Sequence, residues 1–228
     1  MCGRARLSSD VSEIKVAFRI PPERPTPNIA PSWNVAPTDP LPVVRYDAKD
    51  RQRSLDVMRW GLVPFWAEDI KVGFANINAK AEGIENKPAF REAFRQRRCL
   101  VPVDGFYEWQ KTASGKQPYA IGLKAGGLMA LAGLWESWRS PAGERVRSFA
   151  IITTEPNKLC AALHNRMPVV LAPEAWPEWL GEEPADEPRL KSLLAPYPAD
   201  GMVCWPVSVR VGNVRNNDSS LVEPVAVA

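Results

Sequence analysis

The sequence predicts an α+β fold: a single domain with a twisted, mostly antiparallel β-sheet curled toward a barrel and flanked by short helices. Three observations predict it. Short strand-like runs recur from residue 43 to residue 208, separated by turns rich in glycine, proline and polar residues. The helical stretches among them are brief. At 228 residues the chain can bury one sizeable core, and its 23 prolines and 9 tryptophans suit fixed loops packed around that core. One domain over residues 1–228 is expected, with a core at about 2–216 and a weakly ordered tail at about 217–228.

Taken in order, Asp10-Val11-Ser12-Glu13 has the form of a capping box, and Val11, Ile14 and Phe18 share one face of the short helix that follows. From Pro21 to Pro42 the density of prolines predicts an extended loop without a regular element, because each proline removes a donor and restricts the residue before it. Inside it, Trp33-Asn34-Val35-Ala36-Pro37 reads as a buried loop anchor. The runs 43–46 and 55–60 form a strand pair across a charged turn. Between residues 74 and 82, alternation places Asn76, Asn78, Lys80 and Glu82 on one face if the segment is extended.

A helix with Phe90 and Phe94 on a common face is expected over 88–97, and 99–103 reads as a buried strand continued by Gly105-Phe106-Tyr107-Glu108-Trp109. Glu108 stands among three aromatics, a setting that desolvates a carboxylate and suits it to general acid chemistry. An edge strand pointing it at solvent is the competing reading. The runs 119–123, 128–136 and 147–154 predict an antiparallel meander. A short helix at 155–163 ends on His164-Asn165-Arg166-Met167-Pro168, ahead of a strand at 169–171. Helices at 173–180 and 189–194, a last strand at 202–208 and a turn at 211–216 complete the chain.

Composition narrows the function. The net charge of +3 permits a local basic groove and no more. No apolar run reaches the length of a membrane span and no secretory leader is visible, so a cytoplasmic protein is expected. The four cysteines include no CxxC pair and the chain has one histidine, so no metal and no cofactor is expected.

Met1-Cys2-Gly3-Arg4 carries the chemistry. Removal of Met1 exposes a cysteine whose α-amine, with a reference pKa of about 7.7–8.0, lies beside a thiol of about 8.5. Together they condense with an aldehyde: the amine forms an imine and the sulfur closes a thiazolidine. Those four residues, with Trp33-Asn34-Val35-Ala36-Pro37, Asn78-Ala79-Lys80-Ala81-Glu82, Gly105-Phe106-Tyr107-Glu108-Trp109, His164-Asn165-Arg166-Met167-Pro168 and Val211-Gly212-Asn213-Val214, resemble the SOS response-associated peptidase family of abasic-site-processing proteins. The motifs occur in family order from residue 2 to about 216.

The resemblance implies a protein that crosslinks to ring-opened abasic sites in single-stranded DNA, including single-strand/duplex junctions, after autoproteolytic or aminopeptidase removal of Met1. It implies Cys2 as nucleophile, Asn78 as orienting amide, and Glu108 and His164 as proton-transfer groups. Arg4, Lys80 and Arg166 lie in these motifs and are candidates for flanking phosphates; Trp66 is a candidate wedge against a neighbouring base. Arg166 in a core ion pair and Trp66 packed inside are the competing readings. Lys80 stands where the family commonly has Arg, and Gly83 where Thr is common. A monomer is expected. The remaining alternatives are an N-terminal cysteine peptidase or amidohydrolase, an abasic-site lyase acting through the imine, and a non-catalytic single-strand-binding module.

Overall fold

The computed structural model describes residues 2–113 and 115–226. Strand β1 (Ala5–Leu7) leads to helix α1 (Val11–Ala17), where the Asp10 carboxylate accepts from the Ser12 N–H and the Asp10 N–H donates to Glu13. That is the reciprocal cap the sequence predicts. The proline-rich segment is not a loop throughout. Its stretch between Pro31 and Pro37 keeps its backbone donors, and Ser32–Val35 pairs with β1 as strand β2. Strands β3 (Pro40–Asp47) and β4 (Gln52–Trp60) form the expected hairpin, with Val44 opposite Leu55.

Residues 61–77 make an excursion that returns to strand β5 (Asn78–Lys80). Helix α2 (Arg91–Gln96) buries Phe94, and Phe90 is buried beside it, ahead of strands β6 (Arg98–Val103), β7 (Gly105–Thr112) and β8 (Gly115–Leu123). Strands β9 (Met129–Arg139) and β10 (Arg145–Thr154) follow, then helix α3 (Lys158–Ala161) and strand β11 (Met167–Pro168). Helices α4 (Trp176–Leu180) and α5 (Glu187–Ser192) and strand β12 (Met202–Pro206) complete the series.

Five strands close a barrel in the order β10-β4-β3-β6-β9, because β9 pairs back onto β10. The β4–β10 pairing is parallel, as is β5 on β10; the others in the ring are antiparallel. A second, open sheet runs β12-β8-β7-β1-β2. The sequence reading that β7 continues β6 is therefore corrected, since the chain changes sheet at Asp104. There the Asp104 carboxylate accepts from the backbone N–H and the hydroxyl of both Ser8 and Ser9. Gly105 permits the crossing because a Cβ at that position would lie 2.5 Å from the Ile121 carbonyl oxygen. The predicted meander is corrected for the same reason: β8 pairs with β7 and β12, and only β9 and β10 form a hairpin there.

Apolar residues from both sheets and the outer helices share one core, in which Phe18 stacks on Trp176 and Trp60 lies parallel to Phe149. The C-terminal segment, expected to be weakly ordered, is docked as far as it is described. Leu221 is fully buried against Tyr107, Ala120, Val207 and Val211, the Trp205 indole donates to the Val222 carbonyl, and the Val225 N–H donates to Pro206. Burial of two adjacent apolar residues outweighs the flexibility of a chain end. The last two residues of the expected tail, 227–228, lie outside the described residues.

Truncation of this anchor is expected to cost about 2–4 kcal/mol of unfolding free energy in Leu221→Ala. Urea unfolding measures it, and a loss under about 0.5 kcal/mol, the range of neutral surface changes, would show the docking to be energetically idle.

Candidate active site

The site lies at the seam of the two sheets. Asn78 opens β5 and is held opposite Ile151 of β10, on the barrel; Glu108 is on β7, in the open sheet. Between them runs the N-terminal segment ahead of β1. Cys2 is fully buried, and the Asn78 side-chain amide donates to its carbonyl oxygen at 2.8 Å. The Asn78 Oδ1 atom is buried and has no hydrogen-bond partner among the described residues. An orphaned buried acceptor is costly, so it marks a place prepared for a donor.

The Tyr107 N–H donates to the Arg4 carbonyl, which sets the next residue, Glu108, alongside the N-terminal segment. Glu108 is buried, and its Oε1 accepts from the Trp109 N–H at 3.3 Å. Burial pushes the Cys2 thiol up to about 12, and the Glu108 carboxylate adds to the rise, while a hydrogen bond from the Arg4 backbone opposes it. Cys160 of α3 is pushed up to about 12 as well, by burial first and then by Cys204 and Glu108. The buried thiols thus stay protonated.

Arg4 anchors this segment. Its Nη1 donates to Asn34 Oδ1 and to the Val211 carbonyl, each at 2.8 Å, and its guanidinium lies over the Trp109 ring at 5.9 Å. Asn34 in turn donates to the carbonyls of Asn213 and Asn216. Two motifs without an evident chemical role, 33–37 and 211–214, therefore act by fixing the strand that carries Cys2.

His164 ends the turn after α3, where its Nδ1 accepts from the Arg166 N–H at 3.0 Å; the proton of a neutral ring then sits on Nε2. It faces a cleft of about 490 Å³ lined by Trp109, Gln110, Lys111, Ala162, Leu163 and Asn165. His164 is thus beside the strand that carries Glu108. Arg166 forms an ion pair, but not the core pair of the competing reading: it makes a fork at 2.6 and 2.9 Å onto Glu82, whose side chain is exposed. That pair holds the Glu82 carboxyl below its ordinary range, chiefly through the Arg166 hydrogen bond.

Lys80 is exposed two residues beyond Asn78 on the same strand face. The extended face expected over 74–82 is reduced to β5, since 70–75 is a 3-10 turn (Ile70–Ala75) and the Asn76 side chain donates to Leu62. Lys87, which the sequence reading missed, places its Nζ on the Lys80 carbonyl at 3.1 Å. Trp66 is 52% exposed in the 61–77 excursion, and Phe65 and Phe74 are equally open, at 57% and 60%. The neck of that excursion is a contact between Gly61, at φ +120°, and Gly73, where a Cβ would meet backbone at 2.7 Å or less. Exposed aromatics on a braced loop were the missed signal.

The family model described as SOS response associated peptidase matches residues 1–214. The abasic site processing protein YoqW of Bacillus subtilis is 42% identical over 224 residues, covering 98% of this chain and 99% of its own. The abasic site processing protein HMCES of Mus musculus is 32% identical over 271 residues, covering 98% of this chain and 76% of its own. Among solved structures, a protein from Bacteroides thetaiotaomicron superposes with a TM-score of 0.89 at 25% identity, covering 99% of this chain and 100% of its own. A phage-related protein from Bordetella bronchiseptica gives 0.69 at 28%, covering 90% and 94%.

The raised thiols carry a stability signature. A group whose folded pKa is raised stabilises the fold fully below its unfolded value, here 9.0, and that contribution is lost as pH rises toward about 12. The urea midpoint should therefore fall between about pH 8.5 and 10.5, and fall less in Cys160→Ala. Equal slopes for the two proteins over that interval would remove Cys160 from the account.

Proposed function

The chain belongs to the SOS response associated peptidase family, and on that premise we propose that it processes abasic sites in DNA by capturing the ring-opened sugar on Cys2. The observation that carries this reading is the pairing at the seam: the Cys2 carbonyl held by Asn78 and the Cys2 thiol set against Glu108. A residue presented by both sheets at once is positioned for chemistry at its nitrogen and its sulfur.

After removal of Met1, by autoproteolysis or an aminopeptidase, the Cys2 α-amine attacks the C1′ aldehyde of an abasic deoxyribose. The carbinolamine loses water and leaves an imine. The thiol then adds across the C=N bond, with sulfur bonding to carbon and its proton reaching nitrogen, so the net products are a thiazolidine and one water. Because burial and Glu108 hold the thiol protonated, the sulfur needs a proton acceptor at hand, and Glu108 takes that part. The unpaired Asn78 Oδ1 accepts from the α-amine or a sugar hydroxyl. His164, with its Nε2 proton, donates to a sugar oxygen at the cleft mouth.

The substrate is single-stranded DNA, including the single-stranded side of a junction. Lys80 contacts a phosphate beside the lesion. Arg166, neutralised by Glu82, orients the strand edge, and Arg4 combines its anchoring bonds with a phosphate contact. Trp66 wedges against a neighbouring base, a stacking worth about 1–3 kcal/mol.

Two variants test the chemistry. Cys2→Ala should abolish the adduct that survives a denaturing gel on abasic single-stranded DNA, and intact mass should show the parent lacking Met1 and gaining the oligonucleotide. An undiminished adduct in Cys2→Ala would sink the mechanism. In Glu108→Gln the ring closure should slow by about 10²-fold or more, so that borohydride traps an imine that the parent passes through quickly. Wild-type closure rates in that variant would remove Glu108 from the proton transfer.

A further inference from the structure

The β7–β8 hairpin carries a charge arrangement that the fold itself does not explain. Lys111 and Lys116 face one another directly across the two strands, and both side chains are exposed. Like charges in that position destabilise a strand pair. Among the described residues neither lysine has an ion-pair partner. The two cations sit next to the site, because Lys111 lines the same cleft as Trp109 and His164.

The hairpin is continuous with the Cys2 segment. Lys111 shares a strand face with Trp109, two residues earlier, and Trp109 carries the Arg4 guanidinium over its ring. Strand β1 pairs with β7 at Gly105 and Phe106, so among the described residues the edge of β7 beyond Glu108 has no strand beside it. A basic track thus runs from Arg4 across Trp109 to Lys111 and Lys116, along an open strand edge with a cleft on its flank. An extended polyanion fits that surface: it neutralises the opposed lysines and lies along the free edge.

We propose that this track holds the DNA strand flanking the abasic nucleotide, with Lys111 and Lys116 each contacting a backbone phosphate. The inference rests on the abasic-site reading and extends the DNA footprint to the hairpin tip. The pairing of like charges is then a cost to stability retained for binding.

The test uses the full chain and the double variant Lys111→Gln/Lys116→Gln. Binding is read on a single-stranded oligonucleotide with a tetrahydrofuran abasic analogue, which has no aldehyde and so reports affinity without crosslinking. Each phosphate contact on single-stranded DNA contributes about −0.7 to the slope of log affinity against log salt, so the variant should bind more weakly with a slope shallower by about 1.4. Between about 50 and 200 mM salt the parent should lose roughly sevenfold more affinity than the variant. Equal affinity and equal slope would overturn the proposal. A parent that crosslinks a natural abasic site while the slopes coincide refutes the lysine track alone; a parent that forms no adduct refutes the reading beneath it. Lys116→Glu separates binding from folding, because it creates an opposite-charge pair across the hairpin. Its Tm should rise while DNA affinity falls; a fall in both would assign the lysines a structural role and overturn the proposal.

Discussion

The hydrogen bond from Asn78 to the Cys2 carbonyl is the constraint on which the arrangement of the site depends. Chain termini fray unless they are tied down, and a residue at position 2 would ordinarily be solvated and mobile. Here it is buried at a seam, with the barrel holding it through Asn78 and the open sheet holding it through the Tyr107–Arg4 backbone bond. Arg4 then ties the same segment to Asn34 and Val211, residues 30 and 207 positions away. The seat of Cys2 thus draws on contacts from both sheets. The site is therefore a product of the whole fold, and the docking of the C-terminal segment against Tyr107 belongs to the same dependence.

The switch of sheets at Asp104 makes this possible. A strand that merely continued β6 would leave Glu108 in the barrel wall. By crossing at Gly105, where only a hydrogen fits against Ile121, the chain places Glu108 in the open sheet, whereas Asn78 stays on the barrel. Two groups from two sheets then bear on one residue. The Asp104 cap over Ser8 and Ser9 fixes the corner that keeps them so.

The local rules were legible where the signal was local. The capping box at Asp10, the β3–β4 hairpin and the pairing of Phe90 with Phe94 on one helix face follow from spacing, and the structure has them. The barrel closure was legible only as a tendency to curl, because β9 returning to β10 while β4 joins β10 in parallel is a long-range pairing that no window of sequence contains. Proline density hid β2, since the pairing donors lie in the short gap between prolines. Of the site, the motifs brought forward the residues Cys2, Asn78 and Glu108 that the fold places together. Asn34 was read as a mere anchor, and its hydrogen bonds explain why an anchor is needed there. Whether Arg166 meets a phosphate or a carboxylate stayed open in sequence because its partner Glu82 lies 84 positions away. The exposure of Phe65 and Phe74 is a property of the folded 61–77 excursion, whose neck is the Gly61–Gly73 contact, and has no sequence signature of its own.

The electrostatics also set the order of the proposed reaction. Burial and the Glu108 carboxylate raise the Cys2 thiol well above its ordinary range and hold it protonated at neutral pH, whereas an α-amine, with a reference pKa of about 7.7–8.0, is deprotonated to roughly one part in ten. The nitrogen is thus favoured as the first nucleophile, because a larger fraction of it is in its reactive form. Only after the imine has formed is the carbon electrophilic enough, and the sulfur near enough, for addition with the proton passing to Glu108. Before Met1 is removed both nucleophiles are masked, the sulfur by burial and the nitrogen by its peptide bond. Processing at Met1 releases the nitrogen alone, and the nitrogen is the group that has to act first.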